Sequence, residues 1–297
     1  MIAALALAAF SAVLHAAWNV AGKRGGKGSA SLAFFIAAEM CAALIMAPAL
    51  PWAVHQVCGW PTWYWALLIA SSVLQVGSYV CIAAAYRRTD VSASYPLIRA
   101  MPALVLTVGG GMLGWRHPGA LALVGAAVLS LGCLLVPLTG WSTWRRLGSG
   151  LLDPAVAGAA ACICGYGITD ALLVREASIS AGSAAAPALA CLLAIGNAIV
   201  GWIAVWLIPH ERARMSSLRG SWKRIGLTGI GIWLSYGTML AALSLATHPG
   251  PPMAMRQLAI PLVAMLGMWV LKESPSMPRW LGIVLIVVGI VGMALDS

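Results

Sequence analysis

Between residues 2 and 295 the chain is built from apolar stretches about twenty residues long, separated by short polar breaks. A helix needs ~20 mostly apolar residues to cross the hydrocarbon of a bilayer. Ten candidates run at about 2–22, 30–51, 64–86, 92–114, 118–138, 155–174, 183–208, 222–246, 251–271 and 277–295. Hydrophobic residues make up 61% of the chain and charged residues 9%, against about 25% charged in an ordinary soluble domain. No soluble core hides that much apolar surface, so the expected fold is an all-α membrane protein with the lipid bilayer as its solvent. Many of the 14 Trp lie near segment ends, as at Trp52, Trp60, Trp115, Trp141 and Trp280, where an interfacial aromatic belt belongs.

The polar break at 139–154 divides the ten segments into two sets of five, giving halves 1–140 and 155–297 within one integral membrane domain. Loops after segments 1, 3, 5, 7 and 9 carry fourteen of the Lys and Arg, and the opposite side carries only Arg116 and Arg175. By the positive-inside rule the fourteen face the cytoplasm. The net charge of +10 is thereby explained without a nucleic-acid partner, and both termini are expected on the outer side of an inner (plasma) membrane. The first segment has no basic leader and no clear cleavage site, so it reads as a retained helix rather than a signal peptide.

Five is odd, so the second half should insert upside down relative to the first. The two halves also match in sequence. YVCIAAAYRRTDVSASYPLIRAMPAL from Tyr79 slides onto YGTMLAALSLATHPGPPMAMRQLAIP from Tyr236 with a shift of 157 and no gap. The same shift pairs Arg99 with Arg256, Pro118 with Pro275, Gly125 with Gly282 and Gly132 with Gly289. A shift of 151 pairs Asn19 with Asp170, and one of 158 pairs Glu39 with Asn197. Inverted repeats offer two quasi-equivalent states, one open to each side of the membrane.

Arg99 and Arg256 are the main candidates for chemistry. An ionisable residue in hydrocarbon costs about 2.5–3.5 kcal/mol even on lenient insertion scales, so by default it marks a site. Arg99 lies about seven residues, or ~10 Å, into segment 4. Arg256 sits at similar depth from the other face, and both are expected to face a wet interior cavity. Two uses of such charges compete: binding a carboxylate or phosphonate through the guanidinium fork, or locking helices together against an internal acid or backbone carbonyls.

Glu39 lies mid-way along segment 2. Burial disfavours its charged form and a nearby Arg favours it, so it can carry a proton or hold a substrate ammonium. Asp170, near the outer end of segment 6, and Glu273, at the inner end of segment 9, are further coupling candidates, although their positions favour a solvated or structural role. On segment 1, His15, Trp18 and Asn19 share one helix face and should point inward. Trp18 offers a π-face to a cation. Tyr95 is four residues before Arg99 and shares its face. Pro96 and Pro102 around Arg99, and the HPGPP run at 248–252 with Pro261 around Arg256, should loosen the backbone there. Gly125, Gly132, Gly282 and Gly289 form a small-residue stripe for close helix packing, within the chain or across a homodimer. The seven Cys read as small packing residues. No HExxH, ATP-binding or phosphate-loop motif occurs, so no metal or cofactor is expected.

Two long stretches, SYPLIRAMPALVLTVGGGMLGWRHPGALALVGAAVLSLGCLLV and PPMAMRQLAIPLVAMLGMWVLKESPSMPRWLGIVLIVVGIVGMAL, resemble the EamA-like branch of the drug/metabolite transporter superfamily, and the resemblance covers almost the whole chain. LHAAWNVAGK and YPLIRAMP look most like the subgroup associated with phosphonate utilisation. The family pattern ends the fourth segment of a half with Gly-Glu-Arg-like residues. The second half keeps an acid there, as Lys272-Glu273, while the first has Trp115-Arg116, so any role for that Glu transfers only to Glu273. The resemblance implies ten helices and transport of a small metabolite or amino acid through a central cavity.

Taken together, the expectation is a secondary transporter of a small zwitterionic or anionic metabolite, driven by a proton or by exchange. Arg99 takes the acid group, and Glu39 with Trp18 or Tyr95 holds the amine. A lipid-linked phosphate flippase of the same fold is the second reading. An intramembrane enzyme is the remote third, because His15 and Asn19 lack an acid at shared depth to complete a catalytic set.

Overall fold

The structure is a computed structural model. It describes residues 1–23, 31–88, 96–100, 102, 104–105, 108, 119–144, 153–246, 249–270 and 275–295. Tyr95 and Glu273 lie outside these residues. No strand occurs among the described residues. The helices are α1 (Ile2–Lys23), α2 (Leu32–Met46), α3 (Leu50–Val57), α4 (Thr62–Arg88), α5 (Ala120–Leu135), α6 (Pro154–Ala181), α7 (Ala185–Leu207), α8 (Pro209–Ser217), α9 (Trp222–Ser244), α10 (Gly250–Arg256), α11 (Ala259–Val270) and α12 (Met277–Leu295). Residues 96–100 are also helical.

Seven helical stretches among the described residues are long and apolar enough to cross a bilayer. Large apolar side chains such as Val284, Val288, Trp206 and Leu227 face outward from them. That is the reverse of a soluble protein, and it marks the chain as an all-α membrane protein. The expected segment 118–138 appears as the sixteen-residue α5, and 92–114 lies largely outside the described residues.

Segment 251–271 departs from the single helix expected of it. It is two helices, α10 and α11, broken at Gln257 and Leu258. Pro261 is the physical cause. Its nitrogen cannot donate to the Gln257 carbonyl four residues back, and its ring crowds that carbonyl. The Gln257 carbonyl instead accepts from the Ile260 N–H at 2.9 Å, a tighter turn. Arg256 is thereby left at the end of α10, on the lip of the break.

Three helix pairs dominate the packing: α5 with α12, α4 with α6, and α1 with α9. The first is the closest. A Cβ on Gly132 would stand 2.7 Å from the Gly282 carbonyl oxygen, and one on Gly289 would stand 2.5 Å from that of Gly125. The small-residue stripe therefore serves a contact within the chain. The α1–α9 pair is tied by a reciprocal serine clasp: Ser11 Oγ donates to the Ser235 carbonyl at 2.5 Å, and Ser235 Oγ to that of Ser11 at 3.1 Å. On the α4–α6 pair, the Tyr64 hydroxyl donates to the Leu173 carbonyl. Helix α7 also meets α2, α4 and α9, and α2 meets α9; together they enclose the interior that receives the polar residues.

Candidate functional site

The polar faces of these helices converge on a central cavity. It is lined by His15, Trp18 and Asn19 from α1, Phe35 and Glu39 from α2, Gln75 and Tyr79 from α4, and Tyr166 from α6. Asn197 from α7, Trp233 and Tyr236 from α9, Arg256 from α10 and Arg99 add to a wall that also holds apolar residues such as Ile163. The void measures about 50 Å³, several times the ~10–15 Å³ that one water requires. Six residues expected at a site from their placement in apolar sequence thus share one cavity: His15, Trp18, Asn19, Glu39, Arg99 and Arg256.

Arg99 sits one turn into the helical residues that begin at Pro96. Its Nη2 donates to His15 Nε2 at 3.1 Å. Guanidinium has no acceptor, so His15 meets it as the neutral imidazole. The same imidazole packs edge-on against Trp18, with ring centroids 4.9 Å apart. Asn19 turns back to its own helix, with Nδ2 donating to the His15 carbonyl at 2.8 Å. The α1 face is therefore a supported platform beneath Arg99.

Glu39 is fully enclosed, at 2% exposure. The Tyr79 hydroxyl donates to its Oε1 at 2.6 Å, and Phe35, one turn earlier on α2, stacks on the Tyr79 ring at 5.4 Å. A carboxylate offers about four acceptor positions, so this bond leaves capacity for a second donor from the cavity.

Asp170 lies deeper than the sequence indicated. Helix α6 runs on to Ala181, past the expected end at 174, because LVREASISA continues the helix beyond the purely apolar run. Asp170 is consequently interior, at 3% exposure. Ser71 Oγ donates to its Oδ1 and the Tyr236 hydroxyl to its Oδ2, each at 2.5 Å. Of the solvated or structural role expected from its position, this burial removes the solvated one. The Arg256 guanidinium carbon lies 5.9 Å from the Tyr236 ring centroid.

Sequence reasoning did not single out Tyr79, Tyr166, Asn197 and Tyr236 as site residues. The repeat carried the signal for all four. Tyr79 and Tyr236 head its two copies, Asn197 matches Glu39, and Tyr166 stands 151 residues after His15, the shift that pairs Asn19 with Asp170. Several polar atoms in the wall are buried without a protein partner, among them Arg256 Nε, Trp18 Nε1, Trp233 Nε1, Asn197 Oδ1 and Gln75 Oε1. Buried polar groups are nearly always satisfied, so unpaired atoms gathered on residues that line this cavity mark it as a polar centre of the bundle.

No family model and no curated protein matches the chain. A solved structure described only as a crystal structure of a protein superimposes with a TM-score of 0.68 at 15% sequence identity. The match covers 98% of this chain and 97% of the other. At that identity it speaks to the fold alone: a similar overall fold exists in a chain of dissimilar sequence.

Proposed function

We propose that the chain is a secondary transporter of a small zwitterionic or anionic metabolite, of amino acid or aminophosphonate type, working by alternating access. The observation that carries this reading is the two-signed wall of the central cavity. Arg99 and Arg256, with the indole N–H groups of Trp18 and Trp233, supply donors to an acid group. Glu39, Asn197 Oδ1 and Gln75 Oε1 supply acceptors to an ammonium. Arg and carboxylate together complement a molecule that carries both charges; a simple cation would meet two guanidinium groups.

The helix pairing supports inverted repeats over 1–140 and 155–297. Exchanging the halves carries the α1–α9 pair onto α6–α4, and the α5–α12 and α2–α7 pairs onto themselves. On this reading the ten apolar segments are ten spans in the inner membrane with both termini outside, and the broken α10–α11 segment presents Arg256 at the repeat interface, where transporter sites lie. Glu39, Asp170 and Glu273 are the candidates for a coupling proton. This agrees with the resemblance to the EamA-like transporters.

The test is thermal melting of the purified protein with amino acids, aminophosphonates, organic phosphates, quaternary amines and phospholipid carriers. A ligand that binds only the folded state raises the melting temperature. Stabilisation by a zwitterion, lost in Arg99→Ala and in Arg256→Ala, is expected. Stabilisation by phospholipid carriers alone would replace the transporter reading with a flippase, and stabilisation by amines alone would overturn the role of both arginines.

A further inference from the structure

A second cavity adjoins the first. It measures about 40 Å³ and shares Arg99, Ile163, Tyr166, Tyr236 and Arg256 with its neighbour. The two chambers therefore meet at the arginines, and their remaining walls differ. Beyond the arginines the wall is mostly apolar: Pro102, Met239, Leu240, Leu243 and Met253, with Asp170 and Gln257 as its further polar members. Both carboxylate oxygens of Asp170 are already engaged, by Ser71 and Tyr236. Met239, Leu240 and Leu243 come from the last turns of α9, and Met253 from α10 just before the break.

We propose that this second chamber is a side-chain subsite, and that the substrate is an α-amino acid with an unbranched or branched apolar side chain of several carbons. The inference rests on the reading of the first cavity as a zwitterion site and narrows the substrate within it. The tetrahedral Cα of an amino acid sends three groups in different directions from one point, and the junction offers three matching environments. The carboxylate meets Arg99 and Arg256 at the junction. The ammonium turns into the first chamber toward Glu39 and Asn197. The side chain enters the second, against Met239, Leu240, Leu243 and Met253. Two methionines in that wall adapt to side chains of different shape, so the subsite selects on apolar bulk rather than on one outline. An aminophosphonate with no side chain leaves this chamber unused.

The test measures dissociation constants of glycine, alanine, methionine and norleucine for the purified full-length protein. Burying a methylene gains roughly fourfold in affinity, so norleucine, with three more than alanine, is expected to bind about 60-fold more tightly. Leu243→Trp and Met253→Trp each fill the chamber and should bring the norleucine-to-alanine ratio down toward one. The ligand series on the unaltered protein stands even if either variant fails to fold. Equal affinities for alanine and norleucine would overturn the subsite while leaving the zwitterion site intact. Absence of binding by every zwitterion, alanine included, would instead remove the reading of the first cavity and this inference with it.

Discussion

Arg99 Nη2 stands 3.1 Å from His15 Nε2, so the guanidinium that we propose receives an acid group is steered by an imidazole from α1. In this arrangement His15 holds a cation in position as an acceptor. His15→Phe keeps the ring and its edge contact with Trp18 but removes the acceptor. A hydrogen bond to a charged group contributes about 1.5–3 kcal/mol, so zwitterion affinity should fall roughly tenfold or more while the fold is kept. His15→Gln, whose amide oxygen can accept, should recover part of the loss. Calorimetric titration of the three proteins checks this, and unchanged affinity in His15→Phe would show that Arg99 is positioned by other groups.

The Tyr79–Glu39 bond carries a stability prediction. Glu39 has almost no access to solvent, so removing its hydroxyl donor leaves a buried acceptor less satisfied. Tyr79→Phe should destabilise the protein by about 1–3 kcal/mol. Glu39→Gln lowers the demand for a donor, and the double variant should lose less than the sum of the two. A double-mutant cycle on denaturant unfolding is expected to give a coupling of about 0.5–3 kcal/mol. Strict additivity would mean that the bond contributes nothing.

Different parts of the molecule were legible in the sequence for different reasons. The apolar segments were readable because hydrocarbon demands about twenty apolar residues per crossing, and α1, α7, α9 and α12 end within a few residues of the expected bounds. Arg99, Arg256 and Glu39 stood out because charge is rare in such segments. Tyr79 and Tyr236 did not, since a tyrosine in an apolar helix is ordinarily a packing residue. Only the packing of α4 on α2 and of α9 on α6 tells which carboxylate each hydroxyl meets. Asp170 was misplaced because hydropathy stops counting where polar residues begin, whereas helix α6 does not. The break after Arg256 follows from Pro261, which was visible, but its register follows from which carbonyl the proline leaves without its usual donor.

The α5–α12 crossing predicts a contrast between two glycines. A Cβ on Gly289 would lie 2.5 Å from the Gly125 carbonyl oxygen and 2.6 Å from the Leu129 nitrogen. Both are backbone atoms and cannot swing aside, so Gly289→Ala must push the helices apart. Overpacking of this kind costs about 1–3 kcal/mol. Gly226, within α9, has nothing within 4 Å of the equivalent position. Gly226→Ala should be neutral or stabilise by about 0.5–1 kcal/mol through helix propensity. Melting temperatures of the two variants should therefore move in opposite directions or differ clearly; an equal loss in both would mean that the crossing tolerates the added methyl.

Glu211, at the start of α8, is buried at 1% exposure although it lies in a polar connection. Its Oε2 accepts from the Ala33 N–H at 3.1 Å, at the first turn of α2. Its Oε1 meets Arg87 of α4 at 3.3 Å and Arg214 at 3.0 Å. One carboxylate thus joins the beginning of α2 and the end of α4 to the second half of the chain. The two arginines are 45% and 41% exposed, so screening by solvent leaves each pair worth about 0–1 kcal/mol. The buried end is different. Glu211→Ala removes the acceptor from a helix N–H that water does not reach and deletes the common partner of both cations. Its cost is expected at about 1–3 kcal/mol, with Arg87→Ala and Arg214→Ala each within about 1 kcal/mol of the parent. Raising the salt concentration should narrow the effect of the arginine variants and leave most of that of Glu211→Ala. Unfolding free energies measured at low and high salt check the ranking, and an arginine variant as damaging as Glu211→Ala would place the energy in the exposed ion pairs instead of the buried helix cap.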